Sequence, residues 1–493
     1  MKGGSSPRHG GTRDRVEPVE VFDVIVIGAG PAGEVAAGRM AAAGLSTVIV
    51  ESELAGGECS YWACMPSKAL LRPVDLAGEV GRVTGLRLDT SAGGGPIDAA
   101  AVLARRDAVV SNYDDAGQAR WLDSAGVTLV RGTGRLAGPR RVEVTTADGG
   151  TRTLVANHAV MLATGSRPVI PPVAGLAAAE PWTNREATGV RAVPDRLVVI
   201  GGGVVACEMA QAMRGLGARE VTMLVRGGEL LTRIEPFAGE MVARSLSDQG
   251  IAIRTHESAE KVERPEPGGE VTVRLASGGT VTADEILVAA GRRSAVGDLG
   301  LASVGLPESG PVEVDESMRA TGVADGWLYA VGDVNGLALL THMGKYQARV
   351  ASDVIVARAR GEADDRPGMR DRADRAGAPQ VVFTDPQVCA VGRTEAQARA
   401  EGFDVRVLEY DMEQVAGGYL LGDGYRGKVK AVVDERRRVL LGVTFVAPGA
   451  AELLHAATIA VTSGVTLDDL WHAVPAYPTV SEVWLRLLEE YGL

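Results

Sequence analysis

A strand, glycine turn, helix and second strand occur twice in this chain, and that duplication narrows the possible folds more than any other feature. The first copy opens on Phe22-Asp23-Val24-Ile25-Val26-Ile27, a continuous apolar run of the kind buried in a parallel sheet. Gly28-Ala29-Gly30-Pro31-Ala32-Gly33 follows, then an Ala-rich helical stretch to Gly44 and a strand, Ser46 to Val50, ending at Glu51. Each glycine has its own task. Gly28 permits the tight turn, Gly30 lets the backbone approach a pyrophosphate, and Gly33 lets helix and strand pack closely. The helix start then offers free N–H groups and a favourable dipole to phosphates. Glu51 is placed to bind ribose hydroxyls.

The second copy begins at Arg196-Leu197-Val198-Val199-Ile200 and turns through Gly201-Gly202-Gly203-Val204-Val205-Ala206, with Ala206 at the third glycine position. Its second strand, Val221 to Val225, ends without a carboxylate, and Arg226 stands in that place. An acid there favours the free 2′-hydroxyl of NAD, whereas a cation accommodates the 2′-phosphate of NADP. NADPH is therefore expected, with NADH the alternative if Arg226 is simply an exposed loop arginine. The unit closes on Ile286-Leu287-Val288-Ala289-Ala290-Gly291.

The chain has four cysteines, too few for a disulfide scaffold at this length. Two of them, Cys59 and Cys64, follow the first unit within Gly57-Glu58-Cys59-Ser60-Tyr61-Trp62-Ala63-Cys64-Met65-Pro66-Ser67-Lys68. A pair so placed can close a small ring and be reopened by electrons from a bound cofactor. Cys64 falls near an expected helix start, where the dipole favours a thiolate. Lys68 follows within that helix. Cys207 and Cys389 sit alone in apolar surroundings and are expected to be inert core residues. Two dinucleotide units beside a redox pair imply FAD in the first unit and NADPH in the second.

The net charge of −12 leaves no basic surplus for nucleic acid. No apolar run is long and clean enough to span a membrane, no residue set is singled out for a metal, and the cysteine usage suits the cytoplasm. Residues 1–20 are polar and read as a disordered tail. Ile97 to Ala125 reads as helical, Gly126 to Gly165 as short strands closing on Ala163-Thr164-Gly165, and Trp327 to Ala330 as a strand before Gly332-Asp333. Gly361 to Gly377 reads as a polar linker. Beyond it, strands at Gly427 to Asp434 and Val439 to Val446 mix with helices at Ala450 to Gly464 and Ser481 to Tyr491, an α+β pattern unlike the two earlier units.

From Phe22 to about Glu482, these separated motifs resemble the class I pyridine nucleotide–disulfide oxidoreductases, the flavoprotein family of dihydrolipoamide dehydrogenase, glutathione reductase and mercuric reductase. The resemblance implies an α/β fold of two Rossmann-like dinucleotide-binding domains plus an α+β carboxy-terminal dimerisation domain. It divides the chain into an FAD-binding domain at 21–175 and 291–360, an NAD(P)-binding domain at 176–290, a linker at 361–378 and the dimerisation domain at 379–493. It implies that Gly28, Gly30, Gly33, Glu51, Thr164, Gly165 and Asp333 hold FAD. It makes Cys59 the interchange thiol, Cys64 the charge-transfer thiol, Lys68 a cation near flavin N5 and Glu208 its ion-pair partner. A homodimer with active sites shared between subunits, acting on a small disulfide or other small molecule, follows from the same resemblance.

Two departures qualify the expected substrate. Disulfide-reducing members carry His-Pro-Thr-x-x-Glu near the carboxy terminus; here Tyr477-Pro478-Thr479-Val480-Ser481-Glu482 keeps the Glu and replaces the His. A phenol with an ordinary pKa of about 10 is a poor proton acceptor at neutral pH. His472, five residues earlier, is a candidate substitute, or a capping or surface residue. Tyr61 and Trp62 either crowd access to Cys59 or pack against a neighbouring domain. Both departures resemble the soluble pyridine nucleotide transhydrogenases of the same family, which lack the cysteine that Cys64 supplies.

Overall fold

The computed structural model describes residues 19–87 and 97–493. Residues 1–18 of the expected tail lie outside them. Val19 and Glu20, assigned to the tail from sequence, instead begin the first strand, β1 (Val19–Ile27). They pair with Thr153 and Leu154 of β6 (Thr151–Leu162), and the Arg152 guanidinium donates two hydrogen bonds to the Glu20 carboxylate, at 2.8 and 2.7 Å. Backbone pairing and a surface ion pair recruit these residues, whose composition carries no strand signal.

The first unit continues through α1 (Pro31–Ala42), β2 (Thr47–Glu51), α2 (Gly57–Tyr61), α3 (Cys64–Gly81), α4 (Ala99–Val109) and α5 (Ala116–Ser124) to β3 (Val127–Arg131), β4 (Thr133–Leu136) and β5 (Arg141–Thr145). Its sheet runs β3-β2-β1-β6-β5-β4, and a later strand, β16 (Leu328–Ala330), joins β6 in parallel. Strands β3, β2, β1 and β6 are mutually parallel, so their carboxy ends open on one edge, where a ligand crevice forms. Val24, Ile25 and Val26 are fully buried, as expected for a strand covered on both faces. Helix α9 (Thr341–Ala359) packs on α1, its Ala348, Ala351 and Ile355 sharing a core with Ala36, Ala37 and Met40.

A ribbon of β7 (Ser166–Pro168) and β15 (Arg292–Ser294) leads into and out of the second unit. After a short helix, α6 (Asn184–Thr188), this unit forms a parallel sheet in the order β10-β9-β8-β14, from β8 (Arg196–Ile200), β9 (Glu220–Val225), β10 (Ile251–Thr255) and β14 (Glu285–Val288). Helices α7 (Val204–Gly215) and α8 (Pro236–Asp248) connect its strands. An antiparallel sheet of β11 (Ala259–Glu263), β12 (Val271–Leu275) and β13 (Thr280–Ala283) lies between β10 and β14 in sequence.

The segment expected to be a polar linker is packed: Met369 is buried with the α1–α9 core, and Gln347 of α9 donates to the Asp374 carboxylate at 3.0 Å. The carboxy-terminal unit is a five-stranded antiparallel sheet covered by helices that include Leu454–Ser463 and Val483–Tyr491. No helix among the described residues is long and apolar enough to cross a membrane.

Candidate active site

The two glycine turns have the geometry their sequences require. Gly28 adopts φ +102°, and a Cβ there would lie 2.4 Å from the Ala163 carbonyl oxygen. A Cβ on Gly33 would meet the Gly28 carbonyl oxygen at 1.9 Å, so any side chain would part helix from strand. Gly30, by contrast, faces open space and caps α1 with no side chain bound to the helix N–H groups. Gly201 and Gly203 repeat the arrangement: Gly201 has φ +136°, while Gly203 is open and caps α7 without a side-chain partner. Ala206 is fully buried, so the second unit tolerates a methyl group where the first does not.

These cradles fit dinucleotides. At the end of β2, Glu51 accepts the Ala29 and Glu53 amides at 2.7 Å each, and burial raises its pKa. In the first turn of α1, one carboxylate oxygen of Glu34 is buried without a partner, and burial lifts that group to about 7. Asp333 is half-buried, and the loss of solvent raises its pKa against the Ser166 hydroxyl that donates to it. Thr164 donates to the Ala295 carbonyl at 2.8 Å, and Gly165 and Gly291 take positive φ at the two ends of the ribbon. Arg226 follows β9, exposed and without a hydrogen-bonding or ion-pair partner among the described residues.

The cysteine segment is fastened to the first cradle. The Gly56 amide donates to the Ala29 carbonyl at 2.8 Å, and a Cβ on Gly57 would lie 2.7 Å from the Gly30 Cα. Cys59 therefore rides on a helix set directly beside the pyrophosphate turn, and Cys64 is the first residue of α3. Both are free thiols in this structure. The Cys64 sulfur lies 3.3 Å from the Thr341 hydroxyl at the start of α9. Its pKa falls to about 6, mainly because the Cys59 thiol donates to it; Thr341 and the Lys68 charge contribute against the cost of burial. The same bond, with burial, pushes Cys59 upward. The two sulfurs thus divide into a thiolate and its proton donor.

Lys68 Nζ meets Glu208 Oε2 of α7 at 2.7 Å and lies over the Phe383 ring, 4.8 Å from its centre. Glu208 is buried and also accepts the Phe383 amide at 2.9 Å. One ion pair therefore joins the cysteine helix to the second glycine helix. Tyr477 stands apart on the carboxy-terminal unit, 75% exposed and without a hydrogen-bond partner among the described residues. Glu482 has turned to Arg486, leaving its Oε2 buried and unpartnered. Among the described residues, no hydrogen bond joins Tyr477 or Glu482 to the cysteine pair. His472 is exposed and caps the helix Leu467–Trp471. Cys207 and Cys389 are buried, and burial lifts each thiol to about 12, as expected of inert thiols.

Residues 22–359 match the model of the pyridine nucleotide-disulphide oxidoreductases, and residues 378–487 match that family's dimerisation domain. The chain belongs to this family. It is an FAD-dependent enzyme of the pyridine nucleotide–disulfide oxidoreductase class. A dihydrolipoyl dehydrogenase of Thermus scotoductus is 34% identical, over 96% of this chain and 97% of its own. A glutathione reductase of Burkholderia cepacia is 31% identical, over 94% and 98%. The solved structure of LpdA from Mycobacterium tuberculosis superposes with a TM-score of 0.80 at 28% identity, over 95% of this chain and all of that one. The two Rossmann-like units and the α+β carboxy-terminal domain are the fold this family implies.

The oxidoreductase also contains site residues that sequence reasoning missed. Thr341, Ser166, Arg292, Asn184 and Arg185 lie far from the cysteine motif in sequence. The capping-box pattern Thr183-x-x-Glu186 was a legible signal for α6, but nothing in it pointed to the cysteines.

The Cys64 shift gives a pH prediction for the reduced enzyme. The folded value of about 6 lies below the ordinary thiol value of 9.0, so thiolate appears as pH rises through about 6. Between those values the native state binds fewer protons than the unfolded chain, and stability rises with pH. Thiolate absorbance near 240 nm, titrated between about pH 4 and 9, should show one cysteine ionising near 6. Replacing Cys59 with alanine should move that midpoint upward.

Proposed function

We propose that this protein is a homodimeric cytoplasmic enzyme that passes electrons from NADPH through FAD to the Cys59–Cys64 disulfide and on to a small disulfide or other small-molecule acceptor. The hydride chemistry belongs to the bound flavin and nicotinamide; the chain supplies position and charge. In this reading Gly28, Gly30, Gly33, Glu51, Thr164, Gly165 and Asp333 hold FAD, and Gly201, Gly203, Ala206, Arg226 and Gly291 form the NADPH site. The carrying observation is the convergence at α3. There the Cys64 sulfur sits at the helix start, with Thr341 against it and the Lys68–Glu208 pair one turn further on. Lys68 stabilises negative charge on the reduced cofactor, and Cys64 retains a thiolate while Cys59 keeps the proton. Once Cys59 is freed, it is the thiol that meets substrate.

A second reading, electron transfer at the level of the flavin to a quinone or second nucleotide, is favoured by Tyr477. Its exposure in the single chain suits a site completed by a partner subunit, but a phenol there is a poor base for thiol exchange. Anaerobic titration with NADPH separates the readings. Uptake of more than about two electrons per flavin supports a working disulfide, and uptake that stops there supports the flavin-level alternative.

Arg226 gives the nucleotide prediction. A hydrogen-bonded charge pair with a 2′-phosphate contributes about 1.5–3 kcal/mol. Arg226→Ala should therefore raise the KM for NADPH roughly ten- to a hundredfold and leave that for NADH nearly unchanged. Equal effects on both nucleotides, or a wild-type preference for NADH, would remove Arg226 from the 2′-phosphate site.

A further inference from the structure

The segment around Cys59 is gripped from outside by α6. Asn184 Nδ2 donates both to Glu58 Oε1 and to the Trp62 carbonyl, at 2.8 Å each. Arg185 donates to Glu58 Oε2 through Nε at 3.0 Å and Nη2 at 2.7 Å, and to both oxygens of Glu53 at 3.2 and 2.9 Å. The same guanidinium lies 4.2 Å from the centre of the Trp62 ring. The Thr188 hydroxyl adds a bond to the Trp62 carbonyl at 3.1 Å. Two of the neighbours that frame Cys59, Glu58 before it and Trp62 after it, are thus pinned to one helical turn.

That turn is itself fixed. The fully buried Arg106 guanidinium donates to the carbonyls of Thr188 and Val190. Arg292 holds Asn184 Oδ1 at 2.8 Å and the Ser166 hydroxyl at 2.7 Å. Tyr61 is buried, its hydroxyl donating to the Ala55 carbonyl at 3.0 Å. The aromatic pair therefore anchors the segment: Tyr61 plugs inward and Trp62 is clamped outward.

We propose that Arg185 is a positioning residue which, through Glu58 and the Trp62 ring, holds the cysteine segment in the geometry for ring closure and so favours the disulfide over the dithiol. Closing the ring costs the entropy of fixing the residues between the two sulfurs. Here Glu58 and Trp62, on either side of Cys59, are already held in the dithiol state, so less of that entropy remains to be lost on closure. Arginine suits the role because one planar group both forks to carboxylates and stacks on a ring.

The inference rests on the Cys59–Cys64 pair being redox-active, and the test separates the two claims. Holoenzyme is equilibrated in glutathione buffers, where the protein disulfide and two glutathiones exchange with the protein dithiol and glutathione disulfide, two electrons and two protons passing in all. The reduced fraction is read by alkylation and mass. Arg185→Ala should shift the equilibrium at least about tenfold toward the dithiol, which is about 30 mV, with FAD content and Tm near wild type. Arg185→Lys, which keeps the charge and loses the fork, should shift the same way. Should Arg185→Ala fail to fold, Glu58→Gln reads the same contact. A wild-type constant in Arg185→Ala, or its recovery in Arg185→Lys, overturns the clamp. Wild-type protein that forms no disulfide in any buffer overturns the redox reading beneath it.

Discussion

Cys59→Ser should lower the electron uptake of the enzyme from about four to about two per flavin, and should cut NADPH-driven reduction of a disulfide acceptor by about a thousandfold or more. The reason is stoichiometric: a lone Cys64 cannot form the ring, so the protein loses its own store of two electrons. The rest of the site remains. Cys64 still begins α3, still faces Thr341 at 3.3 Å, and still lies near the Lys68 charge. A serine hydroxyl can go on donating to its sulfur, so the thiolate should survive in this variant. NADPH-driven reduction of a quinone should stay within about threefold of wild type, since it does not need the interchange thiol. Stopped-flow reduction and steady-state assays with both acceptors read these outcomes. Loss of quinone reduction together with disulfide reduction would count against a separate flavin-level path. Full retention of disulfide reduction would remove Cys59 from the interchange role.

What sequence could show was what local spacing encodes. The turn at Gly28 and Gly33 is legible because its glycine spacing between strand and helix is itself local, with Gly33 packed on the Gly28 carbonyl, although the atom that crowds Gly28 is the remote Ala163 carbonyl oxygen. Cys64 at a helix start is legible because Met65-Pro66-Ser67 suits a first turn. The ion pair of Lys68 with Glu208 came from family resemblance: it spans two units, and neither residue's surroundings name the other. Arg185 was not legible by either route. Its grip on Glu58 and Trp62 depends on a short helix 127 residues from Glu58, placed there by the ribbon and the second sheet. Tyr61 and Trp62 looked ambiguous for the same reason, since crowding and anchoring differ only in what stands opposite. Strand β1 shows the converse failure: Val19 and Glu20 are strand because β6 is beside them.

Lys68→Met should cost both stability and rate, and the two losses have separate causes. Glu208 is buried, with 4% of its side chain exposed, and its oxygens are shared between Lys68 at 2.7 Å and the Phe383 amide at 2.9 Å. Methionine matches the stem of lysine and leaves that carboxylate unpaired. Breaking one side of a buried pair costs about 3–5 kcal/mol. Lys68 is itself about one-third exposed and the amide bond survives, so a loss of about 2–3 kcal/mol is expected. Glu208→Gln should cost less, because the amide oxygen can still accept from the Phe383 N–H, no buried carboxylate is left unpaired, and the ammonium keeps partial access to water. The rate effect follows from charge. A fixed cation aimed at developing negative charge is worth roughly a hundred- to a thousandfold, so kcat for NADPH oxidation should fall by that factor in Lys68→Met. In Lys68→Arg the charge remains and the rate should recover in part. Urea unfolding and single-turnover flavin reduction measure the two terms independently. The double variant Lys68→Met, Glu208→Gln decides between them: it should regain most of the lost stability, because no buried charge is left unpaired, while the rate stays low. Stability and rate recovering together would mean that Lys68 acts only through folding.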